Sequence, residues 1–361
     1  MEKYDLIVIG AGPSGYAAAM RSVDFKKKTL LIERKEIGGA GVTNGALSSK
    51  TWWEIARQIR QMNNSLEHYH IERPKLNFQE IRQMVMESVS GKRQLLHEHM
   101  DHLSETNGQY LSYRVGDAQL LDKNKVEIQN GVGNVVVYGD YIILATGSRP
   151  RKLPEIPIDD KTILTSDSIE SMDDFPKSMV IIGAGVIGCE YATIFSGFGL
   201  TKVHLIDKGD HILPFEDSDV VHVIESNMEK NGVLVHRNSQ LKRIEIINGE
   251  VEYELVYDDG RTETFHVEKA LVAVGRVPNY EKLWKSDLPI ELTPRGIKDM
   301  ETQTSVSNIY AVGDITCDIA LVNVGELEGR YAVERMFGKP KRRLVYENIS
   351  TIMFLHPEVA G

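Results

Sequence analysis

A short glycine motif that is repeated within the chain constrains its fold more than any other feature. The first copy is Gly10-Ala-Gly12-Pro-Ser-Gly15, and the second is Gly183-Ala-Gly185-Val-Ile-Gly188. Each copy follows a short apolar run and precedes a helical pattern and a second apolar run. This order is typical of the βαβ unit of a parallel sheet. We therefore predict an α/β chain with two Rossmann-like dinucleotide-binding units.

The spacing within each motif suits a bound dinucleotide. The first glycine permits a tight turn, the second lets the backbone approach a pyrophosphate, and the third lets helix and strand pack closely. The helix N-terminus then offers free N–H groups to the phosphates. Acids end the second apolar runs, because Glu33 lies 23 residues after Gly10 and Asp207 lies 24 residues after Gly183. Such an acid accepts hydrogen bonds from a ribose.

Asp207 also indicates which nicotinamide dinucleotide the second unit binds. A carboxylate at this position accepts a hydrogen bond from a free ribose 2′-hydroxyl and repels a 2′-phosphate. We therefore predict NAD(H) as the cofactor. The neighbouring Lys208 leaves NADP(H) as an alternative.

The remaining segments alternate between helical and β patterns. Residues 50–105 have a mainly helical pattern, residues 108–146 resemble a small β-meander, and residues 228–275 resemble β-hairpins. A third apolar strand is predicted at 309–312. Residues 149–178 are rich in proline and are the best candidate for a domain boundary.

Charge, apolar run length and the spacing of histidines and cysteines argue against several classes of function. The net charge of −10 disfavours nucleic acid as a partner, because binding phosphates needs a basic face. No apolar stretch is long enough to span a bilayer and no signal peptide precedes the first strand, so we expect a cytoplasmic protein. His97, His99 and His102 do not share one helix face, so we expect no metal site. Only two cysteines occur, Cys189 and Cys317, and we expect no disulfide framework.

Five motifs together resemble the pyridine nucleotide–disulfide oxidoreductase family, whose members include dihydrolipoamide dehydrogenase and soluble pyridine nucleotide transhydrogenase. In family order they cover residues 10–15, 145–147, 183–190, 275–279 and 310–314. The resemblance implies an FAD-binding domain formed by residues 1–150 and 279–345. It also implies an NAD(P)-binding domain inserted at 151–278. Each of the two domains would carry a small β-meander.

The resemblance also implies roles for individual residues. FAD would be held by the first glycine motif, by the acid that ends the following strand and by three further segments. These residues are Gly10, Gly12, Ser14, Gly15, Glu33, Ala118, Thr146, Gly147, Gly313 and Asp314. NAD(H) would be held by the second set: Gly183, Gly185, Gly188, Asp207, Gly275 and Arg276. Lys50 and Glu190 would form an ion pair beside flavin N5, where a cation stabilises the anionic reduced flavin.

The chain departs from the family pattern where the redox disulfide belongs. Gly41 and Ala46 stand at the two cysteine positions, and Ser48 replaces a proline. The resemblance further implies that residues 346–361 are a stub of a C-terminal interface domain. That domain forms homodimers and supplies a His–Glu acid/base pair in the family. Reduction of lipoamide or glutathione by the family mechanism is therefore not expected.

We expect an FAD-dependent oxidoreductase that transfers hydride from NADH to flavin and on to a small-molecule acceptor other than a disulfide, such as a quinone, oxygen, a dye or NADP. One alternative is a non-catalytic or regulatory flavin-binding protein. The other is a dihydrolipoamide dehydrogenase-like protein that is degenerate in its disulfide site, or one that acts through Cys189 and Cys317.

Overall fold

The computed structural model of the chain describes residues 1–131, 133–285, 287–316, 319–340 and 342–361. Its helices are α1 Pro13–Asp24, α2 Gly39–Val42, α3 Ala46–His68, α4 Phe78–Asn107, α5 Val186–Phe198, α6 Ser218–Lys230 and α7 Val322–Phe337. Short 3₁₀ turns cover Ile169–Ser171, Gly313–Ile315 and Tyr346–Asn348.

The strands of the first half are β1 Lys3–Ile9, β2 Thr29–Glu33, β3 Leu111–Val115, β4 Asp117–Leu120, β5 Lys125–Gln129, β6 Asn134–Leu144, β7 Ser148–Pro150, β8 Ile163–Thr165, β9 Ser178–Ile182 and β10 Lys202–Ile206. Those of the second half are β11 Leu234–His236, β12 Ser239–Ile247, β13 Glu250–Tyr257, β14 Thr262–Val267, β15 Lys269–Val272, β16 Arg276–Pro278, β17 Leu292–Thr293, β18 Gly296–Ile297, β19 Asp299–Met300, β20 Gln303–Thr304, β21 Ile309–Ala311, β22 Ile352–Met353 and β23 Val359–Ala360.

The chain folds into two compact units, each built from three segments. Unit 1 comprises Met1–Ala46, Val89–Arg149 and Val277–Ile349, and unit 2 comprises Leu47–Ser88, Pro150–Arg276 and Ser350–Gly361. The middle segment of unit 2 is thus inserted between two segments of unit 1.

Two segments group differently from the division at 1–150, 151–278, 279–345 and 346–361 that the sequence suggested. Leu47–Ser88 and Ser350–Gly361 both belong to unit 2. The physical reason is apolar burial. Trp52, Phe78 and Leu355 are almost fully buried in the same hydrophobic core as strand β9 and helix α5.

Unit 1 is built on a parallel sheet with strand order β3-β2-β1-β6-β21. Strands β4 and β5 extend it as an antiparallel meander with β6. Helices α1 and α7 pack together closely because Gly329 has no side chain: a Cβ there would lie 2.2 Å from the carbonyl oxygen of Ser14.

Unit 2 repeats this architecture with a parallel sheet in the order β11-β10-β9-β15-β8. The antiparallel meander β12-β13-β14 accompanies it. The α/β fold with two Rossmann-like units, each with a β-meander, is confirmed. Among the described residues, no helix is long and apolar enough to cross a membrane.

Candidate functional site

The first glycine motif forms the turn between β1 and α1. Gly10 has a φ of +104°, and a Cβ on it would lie 2.3 Å from the carbonyl oxygen of Ala145. A Cβ on Gly15 would lie 1.9 Å from the carbonyl oxygen of Gly10. Both positions therefore require glycine. Gly12 is different, because the only atom near its Cβ position is the Cα of Gly39 at 4.0 Å. The space beside Gly12 can therefore receive a ligand that approaches the backbone.

Glu33 at the end of β2 is fixed against this turn. Its Oε2 accepts a hydrogen bond from the amide of Ala11 at 2.8 Å, and its Oε1 accepts one from the amide of Lys35 at 2.9 Å. Each carboxylate oxygen retains a second acceptor position for a hydroxyl group. The turn, the N-terminus of α1 and Glu33 therefore lie together, as a dinucleotide requires.

The second glycine motif has the same geometry between β9 and α5. Gly183 has a φ of +101°, and a Cβ on Gly188 would lie 1.9 Å from the carbonyl oxygen of Gly183. No atom lies within 4 Å of a Cβ on Gly185. Asp207 accepts hydrogen bonds from the amides of Ala184 and Gly209, both at 2.8 Å. Unit 2 therefore contains a second complete dinucleotide turn.

Gly313 and Asp314 follow β21 at the carboxyl end of the unit 1 sheet. Asp314 Oδ2 accepts a hydrogen bond from the Ser148 hydroxyl at 2.7 Å. The amide of Gly313 donates to Glu328 at 2.6 Å, and Glu328 is almost fully buried. A Cβ on Gly313 would lie 2.6 Å from Ser14 Oγ, so Ser14 and this turn are in contact.

Thr146 and Gly147 are held by a residue whose role the sequence did not reveal. The Thr146 hydroxyl donates to the carbonyl of Asn279 at 2.6 Å, and the Asn279 side chain donates to the carbonyl of Thr146 at 3.0 Å. The amide of Asn279 donates to the carbonyl of Gly147. Ala118 lies on β4 opposite Ile128 and is partly buried.

Lys50 and Glu190 form the ion pair that the resemblance implied. Lys50 Nζ lies 2.9 Å and 2.8 Å from the two carboxylate oxygens of Glu190. The Glu190 side chain is 6% exposed and that of Lys50 is 30% exposed. The amide of Phe354 donates to Glu190 at 3.1 Å, and Lys50 Nζ lies 4.9 Å from the centre of the Phe354 ring. Glu190 is therefore a buried anion with two partners, whereas part of the Lys50 side chain reaches solvent.

Lys50 also lines an open surface pocket of about 400 Å³ on unit 2. Its other lining residues are Thr51, Glu54, Ile55, Gln58 and Met84. This volume is within the range of small-molecule sites.

Arg276 and Gly275 follow β15 in unit 2. Gly275 has a φ of +97°, and no atom lies within 4 Å of its Cβ position. Arg276 donates to Asp167 at 3.0 Å. Asp167, Asn279, Glu328 and Phe354 all hold predicted site residues, but the sequence alone did not identify them. For Glu328, the signal available in the sequence was a charged residue at helical spacing among the small and apolar residues of α7.

Cys189, His97 and His99 are held by burial or by neighbouring side chains. Cys189 is fully buried, and burial raises the pKa of its thiol. Cys317 lies outside the described residues. His99 is hydrogen-bonded to the hydroxyl of Tyr16 at 2.5 Å, and His97 makes an edge contact with Tyr113. Within the described ranges, no three or more His, Cys, Asp or Glu side chains group as metal ligands.

The predicted site residues divide between the two units. Unit 1 contains Gly10, Gly12, Ser14, Gly15, Glu33, Ala118, Thr146, Gly147, Gly313 and Asp314. Unit 2 contains Lys50, Gly183, Gly185, Gly188, Glu190, Asp207, Gly275 and Arg276. Lys50 thus lies in the same unit as its partner Glu190, although the sequence suggested different domains for them.

Comparison with known proteins identifies relatives along the whole chain. Residues 4–329 match the model of the pyridine nucleotide-disulphide oxidoreductase family. A dihydrolipoyl dehydrogenase from Bacillus subtilis is 31% identical over 373 residues, covering 99% of this chain and 77% of the relative. A soluble pyridine nucleotide transhydrogenase from Hahella chejuensis is 31% identical over 364 residues, covering 99% of this chain and 76% of the relative.

Solved structures share the fold. The Cu(II) complex of the HOCl-induced flavoprotein disulfide reductase RclA from Escherichia coli matches with a TM-score of 0.87 at 22% identity, covering 100% of this chain and 77% of that one. LpdA from Mycobacterium tuberculosis matches with a TM-score of 0.87 at 24% identity, covering 100% of this chain and 78% of that one. These identities support the fold assignment alone.

Proposed function

The chain belongs to the pyridine nucleotide-disulphide oxidoreductase family, and from this premise we propose that it is an FAD-dependent oxidoreductase that oxidises NADH and reduces an acceptor other than a disulfide. Members of the family use FAD together with NAD(H) or NADP(H). When bound, FAD accepts a hydride and passes the two electrons on. The candidate acceptors are a quinone, oxygen, a dye or NADP.

The residues of unit 1 fit the phosphates and ribose of FAD. The open space beside Gly12 and the N-terminus of α1 suit a pyrophosphate. Glu33 is held by two backbone amides and keeps acceptor positions for ribose hydroxyls. Asp314, steadied by Ser148, is the proposed partner for the ribityl chain.

The residues of unit 2 fit NAD(H). Gly185 leaves the second turn open for a pyrophosphate, and Asp207 is held by two amides at 2.8 Å. A 2′-phosphate near this carboxylate would meet like charge, which favours NADH over NADPH. Arg276 is oriented by Asp167 on the same unit.

Lys50 is the proposed catalytic cation. Its ammonium is fixed by both oxygens of Glu190, and Glu190 is itself fixed by the amide of Phe354. A preorganised cation stabilises negative charge that develops during reduction without further reorganisation. Lys50 and Glu190 therefore need no thiol to perform this role.

The observation that carries the choice of acceptor is the packing of the segment where the family disulfide belongs. Gly41 and Ala46 occupy this segment, and neither can form a thiolate. A Cβ on Gly41 would lie 2.5 Å from Cγ of the rigid Pro13 ring. The packing of this segment therefore leaves no space for a side chain at position 41. A disulfide acceptor has no partner thiol there, which supports an acceptor that takes electrons directly.

An anaerobic titration with NADH and, separately, NADPH tests this function. We expect NADH to bleach the flavin absorbance, and a quinone or dye to restore it. Lipoamide, which is a disulfide, should not restore it faster than the same reagent reoxidises free reduced FAD. If flavin is bound but neither nucleotide bleaches it, the non-catalytic flavin-binding alternative replaces this proposal.

A further inference from the structure

A short segment around residue 354 contacts the proposed catalytic pair from a distant part of the chain. The side chains of Met353 and Leu355 are buried in the core of unit 2, and Phe354 between them is half-buried. The amide of Phe354 donates to Glu190 Oε1 at 3.1 Å, and the centre of its ring lies 4.9 Å from Lys50 Nζ. One residue therefore contacts both members of the pair.

The hairpin that carries this segment is too small to fix its position. Strands β22 and β23 pair through two residues each, Ile352 with Ala360 and Met353 with Val359. A two-stranded hairpin is marginally stable by itself, so its position depends on side-chain contacts with the rest of the unit. Phe354 follows β22 directly and therefore needs an anchor outside the hairpin.

Trp53 on α3 makes two contacts that can anchor this segment. Its indole Nε1 donates to the carbonyl of Leu355 at 3.2 Å. Its ring meets the ring of Phe354 edge to face, with the ring centres 5.2 Å apart and the planes at 79°. This is a favoured arrangement of aromatic pairs. Trp53 is 7% exposed, so both contacts are shielded from water.

Lys50 and Trp53 lie on the same face of α3. They are three residues apart, and residues at this spacing are neighbours on a helix surface. The ammonium and the indole thus approach the Phe354 ring from one helix, while Glu190 on α5 accepts the Phe354 amide. All these residues belong to unit 2. Trp53 therefore holds Phe354 at the place where Phe354 contacts the pair.

We propose that Trp53 is a positioning residue, which anchors Phe354 and thereby keeps Glu190 oriented toward Lys50. This inference rests on the proposed role of the Lys50–Glu190 pair. Without the indole, the Leu355 carbonyl loses its donor and the Phe354 ring loses its edge contact. The Phe354 amide then leaves Glu190 more often, and the carboxylate gains freedom to turn away from the ammonium.

Hydrogen–deuterium exchange of the Phe354 amide in the purified protein, resolved to single amides by mass spectrometry, tests this anchor. Trp53→Leu keeps an apolar side chain but removes both contacts. It should raise the exchange rate of this amide at least about ten-fold, since one hydrogen bond and one aromatic contact are lost together. Trp53→Phe keeps the edge contact and loses only the indole donor, so its rate should lie between those of Trp53→Leu and wild type.

Two further readouts report whether the pair itself has loosened in Trp53→Leu. An acylating reagent should modify Lys50 faster, because pairing with Glu190 shields the ammonium. In the flavin-loaded protein the midpoint potential of the flavin should fall, because a less ordered cation stabilises the reduced anion less. A purely structural role for Trp53 would leave both readouts at their wild-type values.

Phe175→Leu is the matched control. Phe175 is a partly buried aromatic residue of the same core, where its ring contacts Phe78 and Phe198. Its replacement weakens that core but leaves both contacts of Trp53 with residues 354 and 355 in place. The control should therefore exchange the Phe354 amide and modify Lys50 at the wild-type rates.

Unchanged exchange of the Phe354 amide in Trp53→Leu would overturn the inference, and so would an equal increase in Phe175→Leu. If Trp53→Leu does not fold, Trp53→Phe gives the decision, and an unchanged exchange rate in that variant overturns the inference. Exchange and acylation do not depend on turnover. A wild-type protein that fails to oxidise NADH would therefore refute the proposed function and leave these two measurements decisive for the role of Trp53.

Discussion

At the scale of single residues, the burial of the Glu190 carboxylate depends on the positive charge of Lys50. It is a buried carboxylate whose partners are the Lys50 ammonium and the amide of Phe354. Removing one partner of a buried ion pair leaves an uncompensated charge, which costs more than the pair contributes. The pair is therefore a structural requirement as well as the proposed catalytic element.

Replacing Lys50 with methionine should destabilise unit 2 by about 2–4 kcal/mol, because Glu190 loses its counter-ion in the interior. The free energy of unfolding in urea measures this loss. Lys50→Met/Glu190→Gln is the control, and it should recover much of the stability because no buried charge remains. Equal stability of Lys50→Met and wild type would contradict the burial argument.

Gly41 is the second residue whose environment makes a direct prediction. Gly41→Ala should lower the free energy of unfolding by about 1–3 kcal/mol, because its Cβ would lie 2.5 Å from Pro13 Cγ and 3.5 Å from Val322 Cγ2. Gly133→Ala is the matched control, since no atom lies within 4 Å of a Cβ there. If both variants unfold at the same urea concentration, a methyl group at position 41 does not clash with Pro13, and the prediction is wrong.

At the scale of elements, two histidines connect the strands of unit 2. His204 on β10 is hydrogen-bonded to Tyr253 on β13 at 2.8 Å and to His236 on β11 at 3.3 Å. His236 is hydrogen-bonded to Tyr257 at 2.8 Å. Burial lowers the pKa of His204 to about 4 and also lowers the pKa of His236. The parallel sheet and the meander are therefore joined by neutral imidazoles.

This network predicts an acid-sensitive stability. Because the folded-state pKa of His204 is below that of the unfolded chain, its contribution is present above pH 6.5 and is lost as pH falls toward 4. The loss amounts to about 3 kcal/mol when complete. Urea unfolding at several pH values should show a smaller decline for His204→Gln than for wild type. The exposed His222→Gln should decline as wild type does, and identical declines in all three proteins would exclude the network as the cause.

At the scale of the whole molecule, one architecture occurs twice in a single chain. Both parallel sheets have corresponding strand orders, and both carry a glycine turn with a carboxylate fixed by two amides. We therefore expect one dinucleotide site in each unit.

Replacing both cysteines should therefore leave NADH oxidation unchanged. Cys189 is buried with a raised thiol pKa, so it does not form the reactive thiolate that disulfide chemistry needs. A Cys189→Ala/Cys317→Ala variant should match wild type in an NADH–quinone assay. A loss of most activity with flavin still bound would support the alternative in which these thiols act.

Local features of the sequence determined much of the fold and of the candidate site. Glycine spacing depends on steric rules that act within a few residues, so the turns at Gly10 and Gly183 and their acids could be predicted. Apolar runs likewise predicted the strands that surround them. The family that these motifs indicated is confirmed by the match over residues 4–329.

Only the tertiary structure decided which distant residues meet. The grouping of residues 47–88 with unit 2 depends on the burial of Trp52 and Phe78, and a helical pattern does not say which core it joins. The bonds from Phe354 to Glu190 and from Lys50 to Glu190 join segments more than one hundred residues apart. Such contacts have no local signal, because they arise when separate elements pack and their polar groups must find partners.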